Sequence, residues 1–433
     1  MRTADTMSAH AQREPSTVGI GSFQRYADND LEALWAYFDR MRARGDVVWD
    51  ADADAWILCS HAAYREFARQ DDRLWEKGLL HANPTPVDVE TLLEMQGGRR
   101  QVTMLQGERH LRAHKWWLHT FSSPDAVVYW RSEAIRPVAS ALIDRFSDRG
   151  GAELCSEFVD KLFVRICAAF AGLPWDDDAW VDELHELFIR QSEIMGRYCA
   201  GVDSEASGEA MTLSRAWDAM VMPYCLEERP AEAGDIISRL RREGHTIIED
   251  WSALDTMRLV KGVFFATIDS NGKALENSLA VVLNEPQLVQ RLVAEPAMTD
   301  RFVEECLRLV PPRYQLARHA KQDLELAGVK IAKGERVIAF AGAANRDPTR
   351  FPCPHELRFD RDSPKAHLTF HAGPRACGGA AFARASLVDS LNMLLERLPE
   401  LRLDPEREPP SPYGFLTPGH RPLHVRFGPS RGV

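Results

Sequence analysis

Thr369-Phe370-His371-Ala372-Gly373-Pro374-Arg375-Ala376-Cys377-Gly378-Gly379-Ala380-Ala381-Phe382-Ala383-Arg384 sets one cysteine among three glycines and a proline, and a helical pattern follows at once. A glycine-rich turn lets the backbone pass close to a flat ligand. Backbone N–H groups at such a turn and at a helix start can point at sulfur and stabilise its thiolate, and Arg375 adds a cation two residues away. Taken alone, Cys377 would read as a small buried hydrophobe beside a turn. The order of the residues around it argues for a working sulfur.

Phe370, Gly373, Arg375, Cys377 and Gly379 fall on the spaced pattern F-x-x-G-x-[HR]-x-C-x-G, and Ala383–Arg384 match its usual continuation. In this the stretch resembles the cytochrome P450 superfamily. His371 departs from it, since the family usually has glycine there. The resemblance implies a heme b (iron protoporphyrin IX) whose iron is held by Cys377. It also implies that Phe370 packs near the sulfur, that Gly379 belongs to the heme-binding loop and that Arg375 pairs with a propionate. A thiolate axial ligand pushes electron density onto the iron and favours O–O cleavage.

The resemblance extends from an early hairpin to the C-terminus. Glu305 and Arg308, in EECLRLVPP, share a helix face and match the family's E-x-x-R helix. Alone they would be a surface ion pair worth a few tenths of a kcal/mol. Beside the cysteine loop, the resemblance makes them a structural lock, with Arg358 of HELRFD as its third member. Ala344-Asn345-Arg346-Asp347-Pro348 resembles another family segment. Arg318 stands where many members bind a propionate, a role that suits a guanidinium better than a solvated surface charge would show. His110 and His114 sit at i and i+4, on one helix face, and resemble the family's H-x-x-x-R propionate helix with His in the second place. Arg112 is a possible substitute. Read alone, H-x-x-x-H could be a metal pair, but no H-E-x-x-H is present.

The segment from about Ser252 to Leu283 reads as one long helix. By resemblance it crosses the distal heme face, with Ala266-Thr267-Ile268-Asp269-Ser270 in place of A-G-x-[DE]-T. Oxygen activation needs protons, and a carboxylate beside a hydroxyl with water between supplies a relay. Asp269 and Ser270 are the candidates, with Thr267 as an alternative hydroxyl, and Ala266 lies against the heme. Otherwise Asp269 would be a solvated helix charge. A peroxide-driven relative would carry arginine near this carboxylate, so electrons are expected from a reductase.

Length alone permits two or three domains, but the composition is that of an ordinary globular chain with a net charge of −11. That balance argues against a nucleic-acid partner. Eight cysteines form no C-x-x-C pair, which removes support for thiol-rich zinc sites and suits a reducing compartment. No stretch reaches the roughly 18 apolar residues of a spanning helix. The expectation is therefore a cytoplasmic protein without a membrane partner. Residues 1–18 are expected to be disordered, and 19–433 to form a single intertwined heme domain, mainly α with a small β region. Its heme would lie between the distal helix and the helix after Cys377.

The early β-hairpin is expected at Val47–Trp49 and Trp56–Leu58, with further strands from Asp323 and at 424–427. Phe188, Phe265, Tyr314, Leu316, Phe415 and the 89–95 stretch are candidates for a hydrophobic substrate pocket, though each suits plain core packing equally well. The family reading is a monooxygenase that uses O2 and takes electrons from NAD(P)H. These would arrive through a ferredoxin reductase and a ferredoxin or flavodoxin-type donor, because the chain has no flavin or nicotinamide fingerprint of its own. The alternatives are a heme protein of the same fold acting as isomerase, dehydratase or binder, and a heme-free cysteine-nucleophile enzyme.

Overall fold

The computed structural model describes residues 31–51, 53–70, 75–77, 98, 100, 104–199, 206–414 and 417–429. The N-terminal 18 residues, the 89–95 stretch and Phe415 lie outside them. In chain order, α1 (Leu31–Arg44) leads into the hairpin β1 (Val47–Asp50) and β2 (Ala55–Leu58), then α2 (His61–Arg69) and β3 (Trp75–Lys77). A helical stretch follows: α3 (Gly107–Ser122), α4 (Pro124–Trp130), α5 (Arg136–Asp144), the short strand β4 (Gly151–Glu153), α6 (Asp160–Ala171), α7 (Asp178–Cys199), α8 (Ala206–Leu226), α9 (Ile236–Glu243), α10 (Ala253–Leu283), α11 (Pro286–Ala294) and α12 (Thr299–Leu309). Then come β5 (Gln315–Ala320), β6 (Leu324–Leu326), β7 (Val329–Ile331), β8 (Arg336–Phe340), α13 (Ala341–Ala344), α14 (Ala380–Arg397), β9 (Arg402–Leu403), β10 (Ser411–Tyr413), β11 (Gly419–Arg421) and β12 (His424–Arg426). The later β region thus opens at Gln315, earlier than the Asp323 that alternation suggested. Pro223 falls inside α8, near its end. No helix among the described residues is long and apolar enough to cross a membrane.

The described residues group into two compact units, each built from separated stretches. One draws on Met1–Pro84, Arg301–Cys377 and Ser411–Arg421; the other on Thr85–Asp300, Gly378–Pro410 and Pro422–Val433.

The first unit is organised on a five-stranded sheet in the order β1-β2-β8-β5-β3, with β2 and β8 parallel and the other pairs antiparallel. Side chains alternate across a strand, and here the alternation sorts two cores. Ile57, Ile338 and Phe340 pack with Leu34, Tyr37, Phe38 and Met41 of α1. Trp56, Leu58, Val337 and Ala339 pack with Ala63, Tyr64, Phe67 and Ala68 of α2. Tyr314 belongs to the α1-side core, fully buried with its ring 5.6 Å from Phe340 and from Trp35. It is therefore core and not substrate pocket: an aromatic after a proline stop carries no mark of which way it faces.

The second unit is helical around α10, whose 31 residues begin at a reciprocal capping box between Ser252 and Asp255. Lys261 is buried in α10, and its ammonium donates to Asp218 (2.6 Å), to the Ser214 hydroxyl (2.6 Å) and to the Ser214 carbonyl (3.0 Å), all on α8. A buried cation is tolerated when it is paired and hydrogen-bonded, and this pairing ties α8 to α10. The strand expected at the C-terminus forms as β12, which pairs with β4 and β9.

Glu305 and Arg308 are fully buried rather than surface-exposed. Arg308 donates Nε to Glu305 Oε1 (2.8 Å) and Nη2 to Oε2 (2.9 Å), and spends its remaining N–H groups on the carbonyls of Asn345, Pro354 and Glu356. The third member is Arg361, whose Nε donates to Glu305 Oε1 at 3.0 Å. This corrects the assignment of Arg358. Arg358 gives Glu305 only its backbone N–H (3.0 Å), and its guanidinium turns outward to Asp360. The three-residue shift lies in an irregular segment where no periodicity fixes side-chain direction.

Removing one partner of a buried pair leaves an uncompensated charge, at about 3–5 kcal/mol. Arg361→Ala should therefore lower the denaturant midpoint strongly, whereas Arg358→Ala, which keeps the backbone N–H, should leave it near the parent's. Burial alone would raise the Glu305 pKa, but the Arg308 hydrogen bonds and charge, the Arg358 N–H and the Arg361 side chain outweigh it and hold the pKa below the ordinary glutamate value. The stability this contributes is present above about pH 4.3 and is lost as pH falls through the depressed folded-state pKa. Denaturant midpoints followed into acid should fall less steeply in Glu305→Gln than in the parent.

Candidate functional site

The cysteine loop is held from several sides within the first unit. Asn345 accepts from the Leu368 N–H (2.6 Å) and donates its amide to the Thr369 hydroxyl (3.0 Å). That hydroxyl donates to the Leu307 carbonyl at the end of α12 (2.6 Å), and His367 Nε2 lies 2.8 Å from Glu304. Gly373 has φ +70°, and a Cβ there would sit 2.3 Å from the Ala68 carbonyl oxygen of α2, so glycine is required on both counts. The turn closes when Cys377 N–H donates to the Phe370 carbonyl (2.8 Å).

Cys377 itself is exposed, while Cys59, Cys155, Cys167, Cys225 and Cys306 are buried. An exposed cysteine on a hydrogen-bonded turn is the kind of donor that a thiolate-ligated heme needs, so the loop fits the group. Arg375 is half-buried at the end of a short 3-10 turn, and Phe370 is half-buried with its ring 6.0 Å from His367. Arg318 is buried in β5 and donates to the Ala317 carbonyl at 2.9 Å. Leu316, two residues before it, is half-buried.

In the second unit, α3 carries the histidine pair. His110 is buried, His114 is half-buried, and their rings stack 5.6 Å apart. Arg112 lies off that face and is exposed, so it is no substitute for either histidine. The same helix contributes what the sequence left unread. Trp117 stacks on Phe121 and lies against Gly378, where an added Cβ would meet the indole at 2.2 Å. Ser122 donates to the Gly378 carbonyl at 2.5 Å. The glycine after the cysteine and the helix entry at Gly379 are thus seated on α3. A tryptophan facing a glycine in a distant segment leaves no trace in spacing.

Apart from Leu254 at its start, α10 loses its burial around one turn. Residues flanking the middle of the helix are buried, but Ala266 is exposed and Phe265, Thr267, Asp269 and Ser270 are half-buried. Ala266, Asp269 and Ser270 share one face by their i, i+3 and i+4 spacing. The Ser270 hydroxyl donates to the Ala266 carbonyl at 2.6 Å. Thr267 lies one residue on from Ala266, near the buried Cys167 of α6. Burial raises the Cys167 pKa to about 12, so that thiol stays protonated. Phe188 of α7 and Phe265 come together, with centroids 4.9 Å apart.

The family model for cytochrome P450 matches residues 236–424. The mycinamicin IV hydroxylase/epoxidase of Micromonospora griseorubida is 32% identical over 308 residues, spanning 68% of this chain and 73% of that one. The putative cytochrome P450 140 of Mycobacterium tuberculosis is 29% identical over 409 residues, spanning 92% of this chain and 90% of that one. In structure, the chain is similar to P450BioI, solved with a hexadec-9Z-enoic acid ligated acyl carrier protein. The TM-score is 0.76 at 22% identity, over 92% of this chain and 99% of that one, a likeness of fold. The chain belongs to the cytochrome P450 family and is an oxidoreductase of its monooxygenase class.

Proposed function

We propose that Cys377 holds the iron of heme b and that the enzyme inserts one atom of O2 into a hydrophobic small organic molecule. The observation that carries this reading is the exposed Cys377 thiol on a turn closed by its own N–H to the Phe370 carbonyl. Bound heme supplies the iron at which O2 is reduced and its O–O bond is broken. Arg318 and Arg375 are assigned to the propionates as guanidinium partners, with His110 and His114 as further contacts. Ala266, exposed on α10, would lie against the ring. The Asp269 carboxylate takes protons from solvent, and the Ser270 hydroxyl, oriented by the Ala266 carbonyl, passes them on through water. Phe188 and Phe265 give the substrate an apolar wall. Electrons come from NAD(P)H through a ferredoxin reductase and a ferredoxin or flavodoxin-type donor.

Thr267, where the family usually has glycine, favours a second reading in which the same heme fold serves an isomerase, a dehydratase or a binder. Turnover under isotopically labelled O2 with a reductase–ferredoxin pair and NADPH separates the two. The substrate would be chosen from hydrophobic compounds that shift the heme spin state. One labelled oxygen atom in the product is expected; product formation without label or without O2 would overturn the monooxygenase reading. In the same assay, Asp269→Asn should slow turnover on the order of 10²-fold, and Ser270→Ala should lower product formed per NADPH consumed, while Thr267→Val keeps the parent's yield.

A further inference from the structure

His371 has φ +59°, a left-handed backbone that glycine adopts freely and other residues adopt at a cost. A residue held in such a region persists when its surroundings over-determine it. Here those surroundings are visible. His371 Nδ1 lies 3.1 Å from the hydroxyl of Tyr64, itself buried in the core beneath α2. The imidazole meets the Tyr64 ring edge-on at 5.5 Å and the Phe67 ring at 6.3 Å. Two residues on, the loop touches the Ala68 carbonyl at Gly373.

The peptide between Phe370 and His371 is one rigid plane. Its N–H donates to the Leu368 carbonyl (2.9 Å), and its carbonyl accepts the Cys377 N–H (2.8 Å). Fixing the His371 side chain therefore fixes the plane that receives the Cys377 amide.

We propose that His371 is a positioning residue for the Cys377 sulfur, pinning the thiolate loop to α2 through Tyr64. This rests on Cys377 being the heme ligand. The imidazole offsets its own backbone cost by anchoring the plane that orients the cysteine.

The test uses the heme-loaded protein and three variants. His371→Gly relieves the backbone but removes the pin. Tyr64→Phe keeps the ring and removes only the hydroxyl. His371→Asn keeps a polar atom near the place of Nδ1 in a residue that tolerates φ above zero. The readouts are the potential of the ferric/ferrous couple and the rate, in mild urea, at which the reduced carbon monoxide complex loses its thiolate-type Soret band. His371→Gly and Tyr64→Phe should shift the potential in the same direction, and each should speed loss of the band roughly fivefold, the worth of one neutral hydrogen bond. The double variant should go no further than either single one, and His371→Asn should stay near the parent. A His371→Gly protein with the parent's potential and band lifetime would overturn the proposal and reduce His371 to a tolerated outlier. A parent without a thiolate-type band would instead overturn the ligand assignment.

Discussion

One buried carboxylate organises the sheet-containing unit. Glu305 is out of water, and its charge is answered by two guanidinium groups and a backbone N–H. Arg308, held in that pair, reaches the carbonyls of Asn345, Pro354 and Glu356 and so draws in the irregular segment before the cysteine. The same helix offers Glu304 to His367 and the Leu307 carbonyl to Thr369. Buried charges are costly unless every partner is present, so this network makes the path of an otherwise unpatterned loop an all-or-none matter. The position of Cys377 is downstream of it.

The helical unit uses the same principle on different groups. Lys261 fastens α8 to α10 in the first half of the long helix. Five residues on, the burial opens at Ala266. Asp269 and Ser270 share that face, whereas Thr267 does not.

Much of this was legible in the sequence because chemistry or periodicity left few choices. The glycines of the cysteine turn read as close-approach positions, and the approach the structure shows is to the Ala68 carbonyl at Gly373 and to Trp117 at Gly378. The helical run from about Ser252 to Leu283 appears as α10, and the apolar runs at Val47–Trp49 and Trp56–Leu58 appear as the hairpin β1–β2. What remained unread depends on partners far away in the chain. Arg361 and Arg358 are three residues apart in a segment without periodicity, and only the packed structure shows which guanidinium turns inward. Tyr314 and Trp117 are aromatic residues whose surroundings come from distant helices and strands. β4 is too short to announce itself and exists because β12 pairs with it.

The proposed chemistry turns on one bond, from Cys377 sulfur to iron. The most direct measurement is the absorption spectrum of the purified protein reduced with dithionite and exposed to carbon monoxide, beside that of Cys377→Ala. A strongly red-shifted Soret band in the parent, absent from the variant, is the predicted result. A histidine-type band in the parent, a red-shifted band that survives in Cys377→Ala, or no heme band when heme is supplied during expression would contradict the account.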